Sequence, residues 1–181
     1  MKDPKLTAER MGRISVEEYA KAPSSGTVIV LDNVRSAHNV GSAFRTADAF
    51  KTDRVYLCGI CAVPPSAEIH KTALGAELSV PWEHCAETLP LVRRLKEEGY
   101  IVVAVEQTEN SVKLNGFRRE EDARYAFVFG NEVSGVAQDV VDAADFSLEI
   151  PQFGTKHSLN VSVSVGIILW QAAAGNIPKS L

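Results

Sequence analysis

The sequence has few features of an exported, membrane-spanning or polycationic protein. It contains only three cysteines, too few for a disulfide framework, and this favours a reduced, cytoplasmic setting. No run approaches the roughly 18 apolar residues needed to cross a bilayer. The N-terminal MKDPKLTAER contains no apolar segment of the kind found in signal peptides. A formal net charge of -4 argues against non-specific coating of nucleic acid, although it is compatible with a local basic patch.

The composition is that of an ordinary globular protein, and 181 residues are enough for one domain with its own core. Residues 1–25 are polar and end in APSSG, which predicts an N-terminal helical arm followed by a domain over 26–181. Several basic clusters could contact RNA or could simply be solvated surface. They are Arg93-Arg94-x-Lys96, Arg118-Arg119, and the set Lys2, Lys5, Arg10 and Arg13.

Short apolar runs alternate with helical patterns along the chain. This alternation predicts an α/β fold with a largely parallel sheet covered by helices on both sides. In such sheets ligands bind where loops leave the carboxyl ends of the strands. The predicted strands are 27–32, 54–60, 100–106, 125–130 and 146–150, with a brief extended piece at 78–82. The predicted helices are 39–50, 87–99 and 134–145, with a turn and a short helix within 64–77.

The first loop whose residues could bind a ligand or take part in catalysis is LDNVRSAHNVGSAFRTA. Arg45 lies four residues after Gly41 on one helix face, so its guanidinium is expected to lie over that glycine and point back toward the loop. A guanidinium near a helix N-terminus suits phosphate binding. Asn39 could either cap the helix or present its amide to a ligand. An ordinary solvated arginine is the alternative for Arg45.

Two further loops follow predicted strands. In FVFGNEVSGV, glycines around Glu132 permit close backbone approach to a ligand, although neither a dinucleotide-binding nor a P-loop spacing is present. Glu132 could alternatively be a helix N-terminal charge. In EIPQFGTKHSLNVSVSV, Ser158 and Asn160 offer small polar groups for a ligand, or they could form an N-cap pair.

Taken together, the three loops resemble the SpoU/TrmH branch of the SPOUT class of RNA 2'-O-methyltransferases. The first motif reads Asn39-Val40-Gly41-Ser42-Ala43-Phe44-Arg45-Thr46-Ala47. The second reads Gly130-Asn131-Glu132-Val133-Ser134-Gly135, and the third contains Ile150-Pro151, Gly154 and Ser158-Leu159-Asn160-Val161-Ser162. The similarity covers roughly residues 26–175. One departure is Gln152, where the family usually has methionine.

This resemblance implies S-adenosylmethionine as cofactor, a C-terminal trefoil knot and a homodimer with the first motif close to the partner's cofactor. It implies RNA as substrate, with tRNA favoured and rRNA as the alternative. The implied catalytic residues are Arg45, Asn39, Glu132, Ser158 and Asn160. The implied cofactor-binding residues are Phe129, Gly130, Asn131, Ile150, Gln152, Ser158 and Leu159.

Methyl transfer from a sulfonium to a ribose hydroxyl requires alignment of the reactants and removal of a proton, and the activated methyl group requires no metal. Because an arginine is almost always protonated, Arg45 is expected first as a clamp on a phosphate beside the target ribose. The proton acceptor could be that phosphate or a perturbed Arg45. Two other activities stay open: methylation of a base nitrogen, and RNA binding without catalysis.

Two more features have competing interpretations. The stretch LNVSVSV alternates like a strand, but its place in the third motif makes it the end of a cofactor loop leading into the last helix. Cys58-Gly59-Ile60-Cys61 could be a redox or zinc motif, but without a second such pair we expect structural thiols.

Overall fold

The computed structural model describes residues 3–7, 10, 12 and 14–174; Lys2 and Arg13 of the basic clusters lie outside these residues. None of the described helices is both long enough and apolar enough to cross a membrane. In chain order the elements are α1 (Val16–Lys21), β1 (Thr27–Asp32), α2 (Ala37–Ala49), β2 (Arg54–Cys58), α3 (Ala67–Ala73), α4 (Ala76–Ser79), β3 (Trp82–Cys85), α5 (Thr88–Glu97), β4 (Tyr100–Val105), β5 (Val112–Lys113), a 3₁₀ turn (Leu114–Gly116), β6 (Arg124–Phe129), α6 (Gln138–Ala143), β7 (Phe146–Glu149) and α7 (Val161–Ala174).

The seven strands of the described residues form one sheet in the order β3-β2-β1-β6-β4-β7-β5, and every paired neighbour is parallel. The predicted α/β fold with a parallel sheet is therefore confirmed. Strands β2 and β3 extend the sheet to one side of β1, whereas the later strands lie on its other side. Parallel strands place all their carboxyl ends at one edge, where a ligand crevice is expected.

The alternation of side chains along β1 builds a core on each side of the sheet. Ile29 and Leu31 belong to the cluster that includes side chains of α2, α3 and α7. Val28 and Val30 belong to the cluster that includes side chains of α5 and α6. All four are almost fully buried, so β1 is covered on both faces, and the strand order places it in the interior of the sheet with its carboxyl end at the crevice edge.

Two predicted helices begin at least two residues away from their predicted first residue. Helix α2 begins at Ala37 and is capped by Ser36, whose hydroxyl accepts the Asn39 N–H, so of the two roles considered for Asn39 the capping role is wrong. The helix predicted over 134–145 is confined to α6. Its first turn is lost because Gly135 adopts a φ of +68° and because side chains elsewhere bind the amides that follow.

Other differences occur around short segments. The extended piece predicted over 78–82 is wrong at Leu78 and Ser79, which end α4, whereas Val80 is extended and Trp82 begins β3. The Ser79 hydroxyl donates to Asp48 on α2 and to the Ala76 carbonyl, which stabilises the helical turn. The region 64–77 contains the beginning of a second short helix as well as α3. Strand β5 was not predicted, since its two residues pair only with β7.

The structure shows whether the alternating segment LNVSVSV is a strand or a helix. Residues 161–174 are helical, as predicted, although the local pattern is that of a strand. Asn160 caps this helix by accepting the Ser162 N–H at 2.9 Å. Val165 and Ile168 are buried against the sheet, so tertiary packing outweighs the low helix propensity of β-branched residues. The trefoil knot implied by the resemblance stays a prediction.

Candidate functional site

A cavity of about 710 Å³ lies at the carboxyl edge of the sheet. It is lined by the loops that follow β4, β6 and β7 and by the start of α7. All seven residues expected at a cofactor line it, namely Phe129, Gly130, Asn131, Ile150, Gln152, Ser158 and Leu159. The structure thus brings together two motifs that are far apart in the sequence.

The loop after β6 is shaped by Asn131 and its glycines. The Asn131 side-chain oxygen accepts the amides of Val133 and Ser134 at 2.9 Å each, and the backbones of Asn131 and Gly135 pair with each other. A Cβ on Gly130 would overlap the backbone of Gly135 and Val136, so only glycine permits this close turn. The loop is therefore compact, and it exposes its backbone to the cavity.

The loop after β4 contains a residue that sequence reasoning missed. The Glu106 carboxylate lines the cavity and accepts the amides of Gln107 at 2.9 Å and Val136 at 3.1 Å. Gln107 in turn donates from its side chain to the His157 carbonyl at 2.9 Å. This loop therefore ties the second motif to the third. A Glu-Gln-Thr segment directly after a buried strand was the available signal.

A chain of hydrogen bonds joins one residue from each motif at the cavity. The Asn39 amide nitrogen donates to the Glu132 carboxylate at 2.7 Å, and the Asn160 amide nitrogen donates to the Asn39 oxygen at 3.2 Å. Glu132 and Asn160 both line the cavity. The fold therefore assembles three of the five expected catalytic residues into one polar chain.

The Glu132 carboxylate is held in its ionised form. Partial burial by itself would raise the pKa of Glu132, but hydrogen bonds from the Asn39 side chain and from backbone amides, including those of Arg35 and Ser36, lower the pKa on balance. These two amides precede α2, where an anion is also favoured by the helix dipole. Glu132 is thus a fixed acceptor that sets the orientation of the Asn39 amide.

Arg45 lies outside this chain and outside the cavity lining. Its side chain is exposed, and it makes no hydrogen bond or ion pair with any residue the structure describes. The idea that Gly41 leaves space for Arg45 is wrong. A Cβ on Gly41 would overlap the Ile69 carbonyl and the Thr72 hydroxyl, so this glycine instead permits close packing of α3 on α2. Ser158 lines the cavity, but it does not extend the chain of hydrogen bonds.

A buried carboxylate supports the site from below. Asp32, at the end of β1, is 2% exposed and accepts hydrogen bonds from the Thr88 hydroxyl, the Asn33 side chain and the Ala137 amide. Thr88 begins α5 and Ala137 lies in the segment that joins the second motif to α6, whereas Asn33 is the next residue along the chain. Asp32 therefore fixes the far end of the motif loop, a role with no local sequence signal.

The cysteines have the environment of structural thiols. Cys58 and Cys61 are buried, and burial raises their pKa to about 12 and about 11. The Cys61 sulfur also accepts the Val34 amide and donates to the Leu31 carbonyl. Across the described ranges, no three His, Cys, Asp or Glu residues form a group that could hold a metal ion.

Two of the basic clusters are largely occupied by contacts within the fold. Arg94 pairs with Glu83 at 2.8 Å, and Lys96 pairs with Asp145 at 2.9 Å. Arg119 donates to the carbonyls of three residues and to a threonine hydroxyl, which ties the segment before β1 to that before β6. Exposed basic side chains also occur in the segments that carry the first and third motifs, at Arg35, His38, Arg45, Lys156 and His157.

Comparisons with known proteins agree with this arrangement. The model of the SpoU rRNA Methylase family matches residues 26–170. A curated relative, the 23S rRNA (guanosine-2'-O-)-methyltransferase RlmB of Nitrosomonas europaea, is 36% identical over 148 residues, which cover 80% of this chain. The matched region is 54% of RlmB, so the chain spans little more than half the length of that relative.

Two solved structures are also similar. The AdoMet-bound rRNA methyltransferase of Sinorhizobium meliloti superposes with a TM-score of 0.79 at 28% identity, covering 86% of this chain and 59% of that one. The TrmH/SpoU tRNA modifying enzyme of A. aeolicus superposes with a TM-score of 0.77 at 27% identity, covering 88% of this chain and 79% of that one. With the family model matched over both cavity-lining motifs and the first motif, the chain belongs to the SpoU rRNA Methylase family.

Proposed function

We propose that this protein transfers a methyl group from S-adenosylmethionine to a ribose 2'-hydroxyl of structured RNA. The observation that carries the proposal is the hydrogen-bonded chain Glu132–Asn39–Asn160 at the wall of a cavity formed by three strand-end loops. Family membership supports the same activity. The cavity and the chain together offer a cofactor site next to a place where a ribose could be oriented.

The cavity suits a nucleoside-sized cofactor. Its volume of about 710 Å³ falls within the roughly 300–1,000 Å³ typical of small-molecule sites. Ile150 and Leu159 offer apolar walls, while the loop held by Asn131 presents backbone groups beside Gly130. We assign cofactor binding to these four residues together with Phe129, Gln152 and Ser158. Bound S-adenosylmethionine would supply an activated methyl group on its sulfonium.

The polar chain would orient the acceptor ribose. Because the Asn39 nitrogen donates to Glu132, its oxygen points toward Asn160 and can accept a second hydrogen bond from a ribose hydroxyl. Asn160 is itself fixed as the cap of α7. Alignment of this kind supplies a large part of the rate enhancement when the methyl donor is already reactive.

Arg45 would hold a backbone phosphate of the RNA. Its guanidinium is exposed and is not neutralised by a carboxylate among the described residues, so it can form paired hydrogen bonds with a phosphate. A phosphate fixed beside the target ribose could accept the hydroxyl proton, and a perturbed Arg45 is the alternative acceptor. Ser158 would position the nucleotide within the cavity.

We also propose a homodimer in which α2 and α7 face a second copy. Trp170 is 57% exposed and Val163 is 49% exposed, although both lie on the helix that packs against α2. Trp170 also packs edge-to-face against Phe50, with ring centroids 6.3 Å apart. A dimer through this face would cover the apolar surface and place Arg45, also on α2, near the partner's cavity.

The relatives differ in the class of RNA that their names give. RlmB is named for 23S rRNA, whereas the A. aeolicus relative is described as a tRNA modifying enzyme. We favour tRNA, with rRNA as the alternative.

We further propose that residues 1–25 form an arm separate from a methyltransferase domain over 26–181. Within the arm, α1 contacts that domain through the Tyr19 hydroxyl, which donates to the Thr52 carbonyl at 2.9 Å.

The experiment that tests this function compares Arg45→Ala with Arg93→Ala. Both arginines are exposed, but Arg93 lies on α5, on the other side of the sheet from α2. Arg45→Ala should abolish methyl transfer from labelled S-adenosylmethionine to RNA while calorimetry shows unchanged cofactor binding, and Arg93→Ala should keep both. Normal turnover by Arg45→Ala would contradict the assignment, and RNA binding without turnover by the unmodified protein would favour a silent RNA-binding module.

A further inference from the structure

Phe153 has an unusual environment for a phenylalanine. Its side chain is 97% exposed, more than any other large apolar side chain in the described part of the chain. The next residue, Gly154, faces open space, since a Cβ there would meet no atom within 4 Å. The ring therefore projects from the fold and contributes nothing to the core.

The position of Phe153 is nevertheless restricted. Ile150 packs against the core, and the His157 carbonyl accepts a hydrogen bond from Gln107, so the loop between them is anchored at both ends. At roughly 3.6 Å per residue, the Phe153 Cα lies within about 11 Å of the Ile150 Cα and about 14 Å of the His157 Cα. Both anchors and Gln152 line the cavity, whereas Phe153 does not. The backbone of Phe153 is therefore held near the cavity.

The loop that carries the ring is basic. Lys156 and His157 are exposed in the same loop, and residues 150–160 contain no aspartate or glutamate. Arg35 is exposed as well, and its amide faces the Glu132 carboxylate at the cavity wall. An exposed aromatic ring in a loop that also carries an exposed lysine fits a polyanion with flat, apolar faces, which describes unpaired RNA.

We propose that Phe153 stacks on an unpaired nucleobase of the substrate RNA next to the nucleotide whose ribose enters the site. This inference rests on the proposed function, and it adds a residue that selects RNA in which the target lies in a single-stranded loop or bulge. Stacking tolerates any base, so Phe153 would report on local RNA structure more than on sequence.

The first test separates RNA binding from cofactor binding. Phe153→Ala should raise the Kd for RNA roughly tenfold, within the range produced by loss of one stacked base. The RNA probes are small RNA and 23S rRNA from cells that lack the protein. The Kd for S-adenosylmethionine without RNA should stay within about twofold. Phe153→Tyr should restore RNA binding, whereas Phe153→Leu, which is apolar but not aromatic, should not.

A matched control comes from Leu78 on α4, whose side chain is 74% exposed. Leu78→Ala should leave both dissociation constants unchanged. In addition, a ten-residue oligo(A) should quench the added fluorescence of Phe153→Trp, whereas the added fluorescence of Leu78→Trp should not respond.

Three results would overturn the proposal. The first is unchanged RNA affinity in Phe153→Ala. The second is a loss of cofactor affinity in this variant as large as its loss of RNA affinity, and the third is an oligomeric state that differs from that of the unmodified protein at the same protein concentration. The second would place the ring over the cofactor, and the third would place it in a protein interface. If the unmodified protein transferred no methyl group but Phe153→Ala still weakened RNA binding, the proposed function would fail while the stacking site remained.

Discussion

The bridge formed by Asn39 can be tested with a double-mutant cycle. Asn39→Ala removes two hydrogen bonds, one at 2.7 Å to the Glu132 carboxylate and one at 3.2 Å from Asn160. A hydrogen bond to a charged group contributes about 1.5–3 kcal/mol. Glu132 is exposed to solvent, which weakens the bond, so we expect the lower end of that range. A loss of about 1.5 kcal/mol in transition-state stabilisation lowers kcat/KM roughly tenfold.

Glu132→Ala should act largely through the same bond. Once Asn39 has been removed, Glu132 has no amide to orient, so the second mutation should have a much smaller effect. We therefore expect a coupling free energy of about 1 kcal/mol or more between Asn39→Ala and Glu132→Ala, which is at least a fivefold departure from the product of the single effects. The assay is kcat/KM for methyl transfer to RNA, with circular dichroism to verify that each variant is folded.

The control cycle pairs Asn39→Ala with Arg54→Ala. Arg54 begins β2, so a strand length of about 13 Å separates it from the carboxyl edge of the sheet. That pair should be additive within about 0.5 kcal/mol. If the effects of Asn39→Ala and Glu132→Ala were also additive within about 0.5 kcal/mol, the idea that Glu132 acts by orienting Asn39 would be refuted.

Three further predictions concern the groups that build the cavity. Gly130→Ala should cost about 1–3 kcal/mol of stability in urea and weaken cofactor binding, because its Cβ would overlap the Gly135 backbone, whereas Gly154→Ala should change neither; equal behaviour of the two variants would contradict this. Asp32→Asn should cost about 1–3 kcal/mol in urea unfolding, since an amide nitrogen would face one of the donors that the buried carboxylate accepts; wild-type stability would disprove that role. The folded state lowers the pKa of Glu132 below its ordinary value of 4.5, so the contribution of Glu132 to stability is complete above about pH 4.5 and is lost as the pH falls through the folded pKa. The difference in unfolding free energy between the wild type and Glu132→Gln should therefore shrink in acid. A difference that does not depend on pH would contradict this prediction.

The sheet was predictable because its strands carry their own signals. The apolar, β-branched run at 27–32 predicts a buried strand, and it forms β1 with the same bounds. Boundaries failed where distant side chains bind the backbone. The Val136 and Ala137 amides bond to Glu106 and Asp32, which lie about 30 and 105 residues away, and α6 therefore begins later than its sequence indicates.

The residues of the site were predictable, but the hydrogen bonds between them were not. Motif resemblance singled out Asn39, Glu132 and Asn160, yet the bonds between them span 93 and 121 residues. No local pattern encodes such pairings. Asp32 was missed for the same reason, because a carboxylate at the end of a strand gains its role only when other loops dock against it. Glu106 had a signal in its position after a buried strand, but its hydrogen bond to the Val136 amide has none. The explanation for Gly41 failed because helix α3, rather than Arg45, fills the space above it.

The central claim is methyl transfer to a ribose hydroxyl, and alkaline hydrolysis of the labelled product tests it most directly. Alkali cleaves RNA through the free 2'-hydroxyl, so a nucleotide methylated on that oxygen survives within a resistant dinucleotide. RNA from cells lacking the protein would be incubated with the purified chain and S-adenosylmethionine carrying a labelled methyl group. We predict that the label appears in resistant dinucleotides and is absent with Arg45→Ala. Label confined to mononucleotides, as a methylated base would give, or no label in any RNA, would contradict the account.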